Sequence, residues 1–312
     1  MTIKIKNVLS FAPLSLALLT ASPLTPVLGQ QSTTVNDGDW NTYYGGDWAH
    51  RYSPLDQINA DNVSELELAW SFSTENFGTT VDYANPSTPL EINGVLYANI
   101  ANTRNVVALD ATSGQVLWLY RYDEGDRYDE APRKGPGRGV AFYSKGDKQR
   151  VIDISPGYQM VSLDAETGIP DAAFGENGIV DLYQGLRNAD DPRYPYPDIG
   201  ISAPPFVMND VIVVGAAHRT GGRPRSKFNT KGDIRGFDVH TGELLWTFHT
   251  IPEAGEYGYE SWLSGNDITG NSGVWAPISG DPELGMFTSL SRTRPVTTTA
   301  AIATVTICFP AG

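Results

Sequence analysis

The apolar positions of this chain come in short runs bounded by polar turns, and no stretch sustains a helical three-and-four spacing. Asn105-Val106-Val107-Ala108-Leu109 is one such run, rich in branched side chains, and reads as a strand. It leads through Asp110-Ala111-Thr112-Ser113-Gly114 into a second run, Gln115-Val116-Leu117-Trp118. In Asp-x-x-x-Gly the aspartate bonds back to its own backbone, and the glycine takes the positive φ that closes a bulged hairpin. The unit recurs as Gly236-Phe237-Asp238-Val239-His240-Thr241-Gly242-Glu243-Leu244-Leu245-Trp246. A third copy, Ser162-Leu163-Asp164-Ala165-Glu166-Thr167-Gly168, keeps the front half and lacks the tryptophan. Asn93-Gly94 marks a further tight hairpin, and Ala69-Trp70-Ser71-Phe72 reads as one more strand. Strand–turn–strand–tryptophan units tens of residues apart predict a β-propeller, in which the tryptophan of one sheet packs on the next. The plainer alternative is a set of ordinary hairpins, each with a core tryptophan.

Composition agrees with a turn-rich all-β protein: among 312 residues there are 32 glycines, 21 prolines, 7 tryptophans and 15 tyrosines. A formal net charge of −14 argues against nucleic acid as a partner, because phosphates would be repelled. The single cysteine, Cys308, allows neither a disulfide framework nor a thiol metal site.

Residues 1–29 read as an export signal. Lys4 and Lys6 supply the charged start, Val8 to Leu19 is largely apolar, and Val27-Leu28-Gly29 offers a cleavage point before Gln30. A periplasmic destination follows, with an uncleaved interfacial anchor as the alternative. Residues 30–36 read as a polar linker.

The tryptophan repeat resembles the docking motif of the quinoprotein dehydrogenases, whose catalytic domain is an eight-bladed propeller holding pyrroloquinoline quinone (PQQ). The segment Asp39-Trp40-Asn41-Thr42-Tyr43-Tyr44-Gly45-Gly46-Asp47-Trp48-Ala49-His50-Arg51-Tyr52-Ser53-Pro54-Leu55 resembles the start of that domain in the glucose/quinate/shikimate type. The resemblance covers about 38–286 and implies an all-β fold, part of an eight-bladed propeller. It implies PQQ and a divalent cation, calcium in most relatives, as cofactors. It further implies a sugar or polyol substrate and a quinone electron acceptor. The rival class is a non-catalytic propeller scaffold of the outer-membrane assembly type.

Four residues are carried over by this resemblance as cofactor contacts. Arg138, in Arg133-Lys134-Gly135-Pro136-Gly137-Arg138-Gly139-Val140-Ala141-Phe142-Tyr143, has a guanidinium fork that matches a carboxylate or an ortho-quinone oxygen pair. Ser202, in Gly200-Ile201-Ser202-Ala203-Pro204, stands where relatives carry a hydroxyl on the cofactor. Asn271 and Trp275 lie in Thr269-Gly270-Asn271-Ser272-Gly273-Val274-Trp275-Ala276-Pro277, with Trp275 as the floor on which a flat ring stacks. For Arg138 the alternative is a solvated loop arginine, for Ser202 a hydroxyl bonded to local backbone, and for Trp275 one more inter-blade tryptophan. The basic loop 218–233, with Arg219, Arg223, Arg225, Lys227 and Lys231, reads as an anion contact or a solvated loop. No metal ligand is assigned, and the catalytic base is expected beyond residue 312.

After Met286 the texture changes to a Thr- and Ala-rich tail without a hairpin signal. Restoring one base at codon 287 lets residues 287–309 be rewritten as V-Y-I-P-V-E-D-A-T-G-D-Y-Y-G-G-H-R-H-G-D-N-L-F, which resembles the family. The expectation is a frameshifted tail over 287–312, and a chain that is inactive alone.

Overall fold

A computed structural model describes residues 38–308, apart from 47–48, 79, 81–83, 190–195, 220–227, 264, 269–271 and 294–300. The export signal, the linker 30–36, Arg223, Arg225, Lys227 and Asn271 thus lie outside the described residues. Four antiparallel sheets follow one another along the chain. The first is β1 (Leu90–Ile92), β2 (Val95–Ile100), β3 (Asn105–Asp110) and β4 (Val116–Tyr120), paired in that order. The second is β5 (Ala141–Lys145), β6 (Lys148–Ile154), β7 (Gln159–Asp164) and β8 (Ile179–Asp181). A short strand β9 (Ile199–Gly200) precedes the third sheet, which contains β10 (Phe206–Met208) and β11 (Val211–Val214). The chain then forms β12 (Ala217–His218), paired with β9, and completes the third sheet with β13 (Ile234–Asp238) and β14 (Leu244–Phe248). The fourth sheet is built on β15 (Gly273–Val274), β16 (Ser279–Asp281), β17 (Met286–Thr293) and β18 (Ala301–Cys308). No sheet closes on itself among the described residues.

The turns form for the reasons the residues give. Asp110 Oδ1 accepts from the backbone N–H groups of Thr112 (3.1 Å) and Ser113 (2.7 Å), and Gly114 sits at φ 72. Asp164 caps Thr167 at 2.9 Å with Gly168 at φ 69, and Asp238 caps Thr241 at 2.8 Å with Gly242 at φ 74. The register slips between Ala108 and Leu109 and between Gly236 and Phe237, one bulge in each complete copy.

Tryptophan then joins sheet to sheet. Trp118 leaves the first sheet and lies on the turn of the second. Its Nε1–H donates to Ala165 O at 2.9 Å, and a Cβ on Gly168 would come within 2.5 Å of the indole. Trp70 does the same to the first sheet, donating to Ala111 O at 3.1 Å and leaving 2.5 Å for any Cβ on Gly114. The second sheet has no tryptophan to offer the third, and Val180 and Phe174 fill the place beside Gly242. This is why the partial copy is tolerated: an aliphatic and a phenyl group supply the apolar body, forgoing only the indole donor.

Two expectations need correction. Residues 69–72 form no strand. They lie beside the first sheet, held by the Trp70 indole and packed through Trp70 and Phe72, and have no ladder partner among the described residues. The tail does form a hairpin, since β17 and β18 pair over eight residues, from Met286↔Cys308 to Thr293↔Ala301. Its Thr, Val and Ile residues are β-formers, and β17 is templated on its other side by β15 and β16. Phe287 is fully buried and stacks on Trp246 with ring centroids 5.9 Å apart.

Candidate cofactor site

Strands β1, β5, β10 and β16 are each preceded by a short segment outside any ladder. Before β1 stand Thr88-Pro89, before β5 Arg138-Gly139, before β10 Ser202-Ala203-Pro204-Pro205, and before β16 Trp275-Ala276-Pro277. Three of the four contain proline, which has no N–H to donate to a ladder. They bond sideways instead. Thr88 N–H donates to Arg138 O at 2.8 Å, and Arg138 N–H donates to Ser202 O at 2.8 Å. Gly139 must be small here, because a Cβ would come 2.9 Å from Thr88 O.

This lateral chain brings together three of the four residues singled out from the sequence. The Arg138 guanidinium lies over the Trp275 indole, 5.1 Å from the ring centroid, and Ser202 accepts from the Arg138 backbone. Arg138 has no ion-pair partner among the described residues, and Trp275 is 38% exposed. A cation resting on an open indole face is worth about 0.5–1 kcal/mol, too little to explain leaving both groups unpaired with the protein. The fourth residue, Asn271, lies outside the described residues.

One step further from the rim, the same segments line a crevice of about 30 Å³ with Tyr43, Val140, Pro204 and Pro277. It is a narrow crevice that holds water-sized molecules. Its plug is the 41–46 segment, anchored where Trp40 exchanges backbone bonds of 2.8 and 3.0 Å with Glu91. The described part of the basic loop is already engaged within the protein. Arg219 pairs with Asp198 at 2.8 Å, and Lys231 is buried with its Nζ on Asn266 O at 3.1 Å.

Behind the rim lies a buried polar group that the sequence reading missed. Arg104, 1% exposed, fills the space between the loop 133–138 and Ile201. Asn99 Nδ2 donates to Asp153 Oδ1 at 2.9 Å and to Gly139 O at 3.0 Å, while Asn99 Oδ1 accepts from Ser87 Oγ at 3.0 Å. The other oxygen of Asp153 is buried without a hydrogen-bond partner. The signal was a lone acid in Val151-Ile152-Asp153-Ile154, an otherwise apolar strand.

Burial raises the Asp153 carboxyl to about 7, against the pull of the nearby Arg104 cation. The folded chain therefore holds a proton that the unfolded chain releases near pH 4. The stabilisation is full below that pH and is lost as pH rises toward 7. We predict that Asp153→Asn flattens this slope and makes the protein more stable than wild type at pH 8, by roughly 2–4 kcal/mol. Urea unfolding at pH 5 and pH 8 checks this, and an unchanged pH dependence in the variant would count against it.

Comparison with known proteins identifies the family of the chain. Residues 40–295 match the family described as glucose/ethanol/alcohol dehydrogenase, β-propeller domain, of the PQQ type. The large subunit of glycerol dehydrogenase from Gluconobacter oxydans is 28% identical over 82% of this chain and 34% of its own length. Quinoprotein glucose dehydrogenase from Escherichia coli is 31% identical over 69% of this chain and 27% of its own. Quinate/shikimate dehydrogenase (quinone) from Acinetobacter baylyi is 28% identical over 84% of this chain and 33% of its own. The chain thus spans about a third of the length of the curated relatives it matches. The crystal structure of quinohemoprotein alcohol dehydrogenase from Comamonas testosteroni shares the fold, with a TM-score of 0.62 at 22% identity, over 83% of this chain and 36% of that one. The chain belongs to the PQQ-dependent dehydrogenase β-propeller family.

Proposed function

We propose that this chain carries the cofactor-binding rim of a periplasmic quinoprotein dehydrogenase that oxidises a sugar, polyol or related alcohol and passes the electrons to a quinone. The observation that carries the reading is the Arg138 guanidinium over the open Trp275 ring, beside Ser202. The donor set fits PQQ: an aromatic face for its flat rings, a guanidinium without an ion-pair partner for its carboxylates or paired quinone oxygens, and a short hydroxyl. Bound PQQ would supply the two-electron acceptor for the substrate's C–H bond. The chain's share is to stack, orient and neutralise. Trp275 would offer a face on which the rings could stack, Arg138 a guanidinium for a charge-assisted bond to an oxygen, and Ser202 a hydroxyl donor. No group of three or more His, Cys, Asp or Glu side chains forms a ligand set for a divalent ion among the described residues. We place calcium in the reading on the resemblance alone.

The frame-corrected protein, carrying its downstream part, should reduce a redox dye only when PQQ and a sugar, polyol or alcohol are both supplied. Reduction that ignores PQQ would contradict the assignment. Export rests on the charged and apolar start of the chain, and N-terminal sequencing of the isolated protein checks for a mature start near Gln30.

A further inference from the structure

We infer that Arg104 and Asn99 are positioning residues for the cofactor rim, setting where Arg138 stands relative to Ser202. The inference rests on the PQQ reading above. Neither residue reaches the rim itself; both act through backbone.

Arg104 comes from the β2–β3 turn of the first sheet and reaches into the two that follow. Its NH2 donates to Arg133 O at 2.7 Å and its Nε to Gly135 O at 3.2 Å. Its NH1 donates to Ile154 O at 2.8 Å and to Ile201 O at 2.6 Å. Arg133 and Gly135 belong to the loop that ends in Arg138, and Ile201 immediately precedes Ser202. One planar, permanently charged fork thus holds both segments that meet at the rim. Lysine could not substitute for it, since an ammonium offers three donors from a single point.

Asn99 holds the same loop from the other side. Its bond to Gly139 O holds the Gly139–Val140 peptide, one step beyond Arg138. Gly137, which precedes Arg138, has φ +77 and packs against both supports. A Cβ there would lie 2.9 Å from Arg104 Nε and 3.2 Å from Asn99 Nδ2. The loop is therefore braced on either side of Arg138, at Gly135 by Arg104 and at Gly139 by Asn99, with Gly137 packed between the two side chains. Asp153 orients Asn99 by accepting from its amide and places a carboxyl near the Arg104 charge. Removing Arg104 would strand four carbonyls, a cost that mixes stability with function. Asn99 is the cleaner probe, because serine keeps a polar group but is too short to span Gly139 and Asp153 together.

The test is a double-mutant cycle read by equilibrium dialysis of PQQ against the purified chain, with melting temperature measured in parallel. Asn99→Ser should weaken PQQ binding about tenfold, and Arg104→Lys should weaken it at least as much. In an Arg138→Ala background Asn99→Ser should have no further effect on PQQ binding, because it acts through Arg138. Its effect on melting temperature should persist in that background. Wild-type affinity in Asn99→Ser, or an equal loss with and without Arg138, would overturn the inference while leaving the cofactor reading intact. Failure of the wild-type chain to bind PQQ would overturn both.

Discussion

Trp275→Ala is expected to lower PQQ affinity by about thirtyfold or more while leaving the fold in place. The indole is 38% exposed, so its loss removes little from the core. Stability should fall by less than about 1 kcal/mol, as for a side chain at the surface. Binding loses much more. Covering roughly 100 Å² of apolar ring is worth about 2.5 kcal/mol, and offset stacking adds about 1 kcal/mol. The cation of Arg138 also loses the face on which it now rests. Trp275→Phe should recover part of the affinity, since a phenyl ring offers a smaller face. Dialysis of PQQ against the three proteins reads the series directly. Equal affinity in all three would remove Trp275 from the site.

Trp118→Ala should have the opposite signature, with a large loss of stability. Its indole fills the place a Cβ on Gly168 would occupy and donates to Ala165 O at 2.9 Å. It also packs beside Tyr97, with centroids 6.0 Å apart. Truncation leaves a cavity between the first two sheets and removes one of the two donors to Ala165 O, the Tyr97 hydroxyl remaining at 3.2 Å, for a loss of about 3–5 kcal/mol. Trp118→Phe should cost less, because the third sheet is joined to the second by Val180 and Phe174 without an indole at Gly242. Chemical unfolding of the three proteins checks the order. A loss below about 1 kcal/mol in Trp118→Ala would mean that the sheets are joined by something other than tryptophan docking.

The two tryptophans show how much was legible in the sequence. Trp118 is announced by the turn before it: Asp110, Gly114 and the bulge are local features, and local features repeat visibly along a chain. Arg138, Ser202 and Trp275 are legible through the resemblance of their segments to the family, not through any local signal of their own. What the sequence hides is support through backbone. Arg104 bonds to carbonyls up to 97 residues away, and a carbonyl looks the same in every residue. Asn99 and Asp153 were overlooked for the same reason. The strand expected at 69–72 failed because β-propensity supplies no partner, and the tail paired because β15 and β16 supply one.

The central claim is that the Arg138–Ser202–Trp275 rim binds PQQ, and equilibrium dialysis of PQQ against wild type and Arg138→Ala tests it most directly. The account predicts saturable binding of one PQQ per wild-type chain and at least tenfold weaker binding in Arg138→Ala. Binding that does not saturate, or that is equally strong without the Arg138 guanidinium, would contradict it.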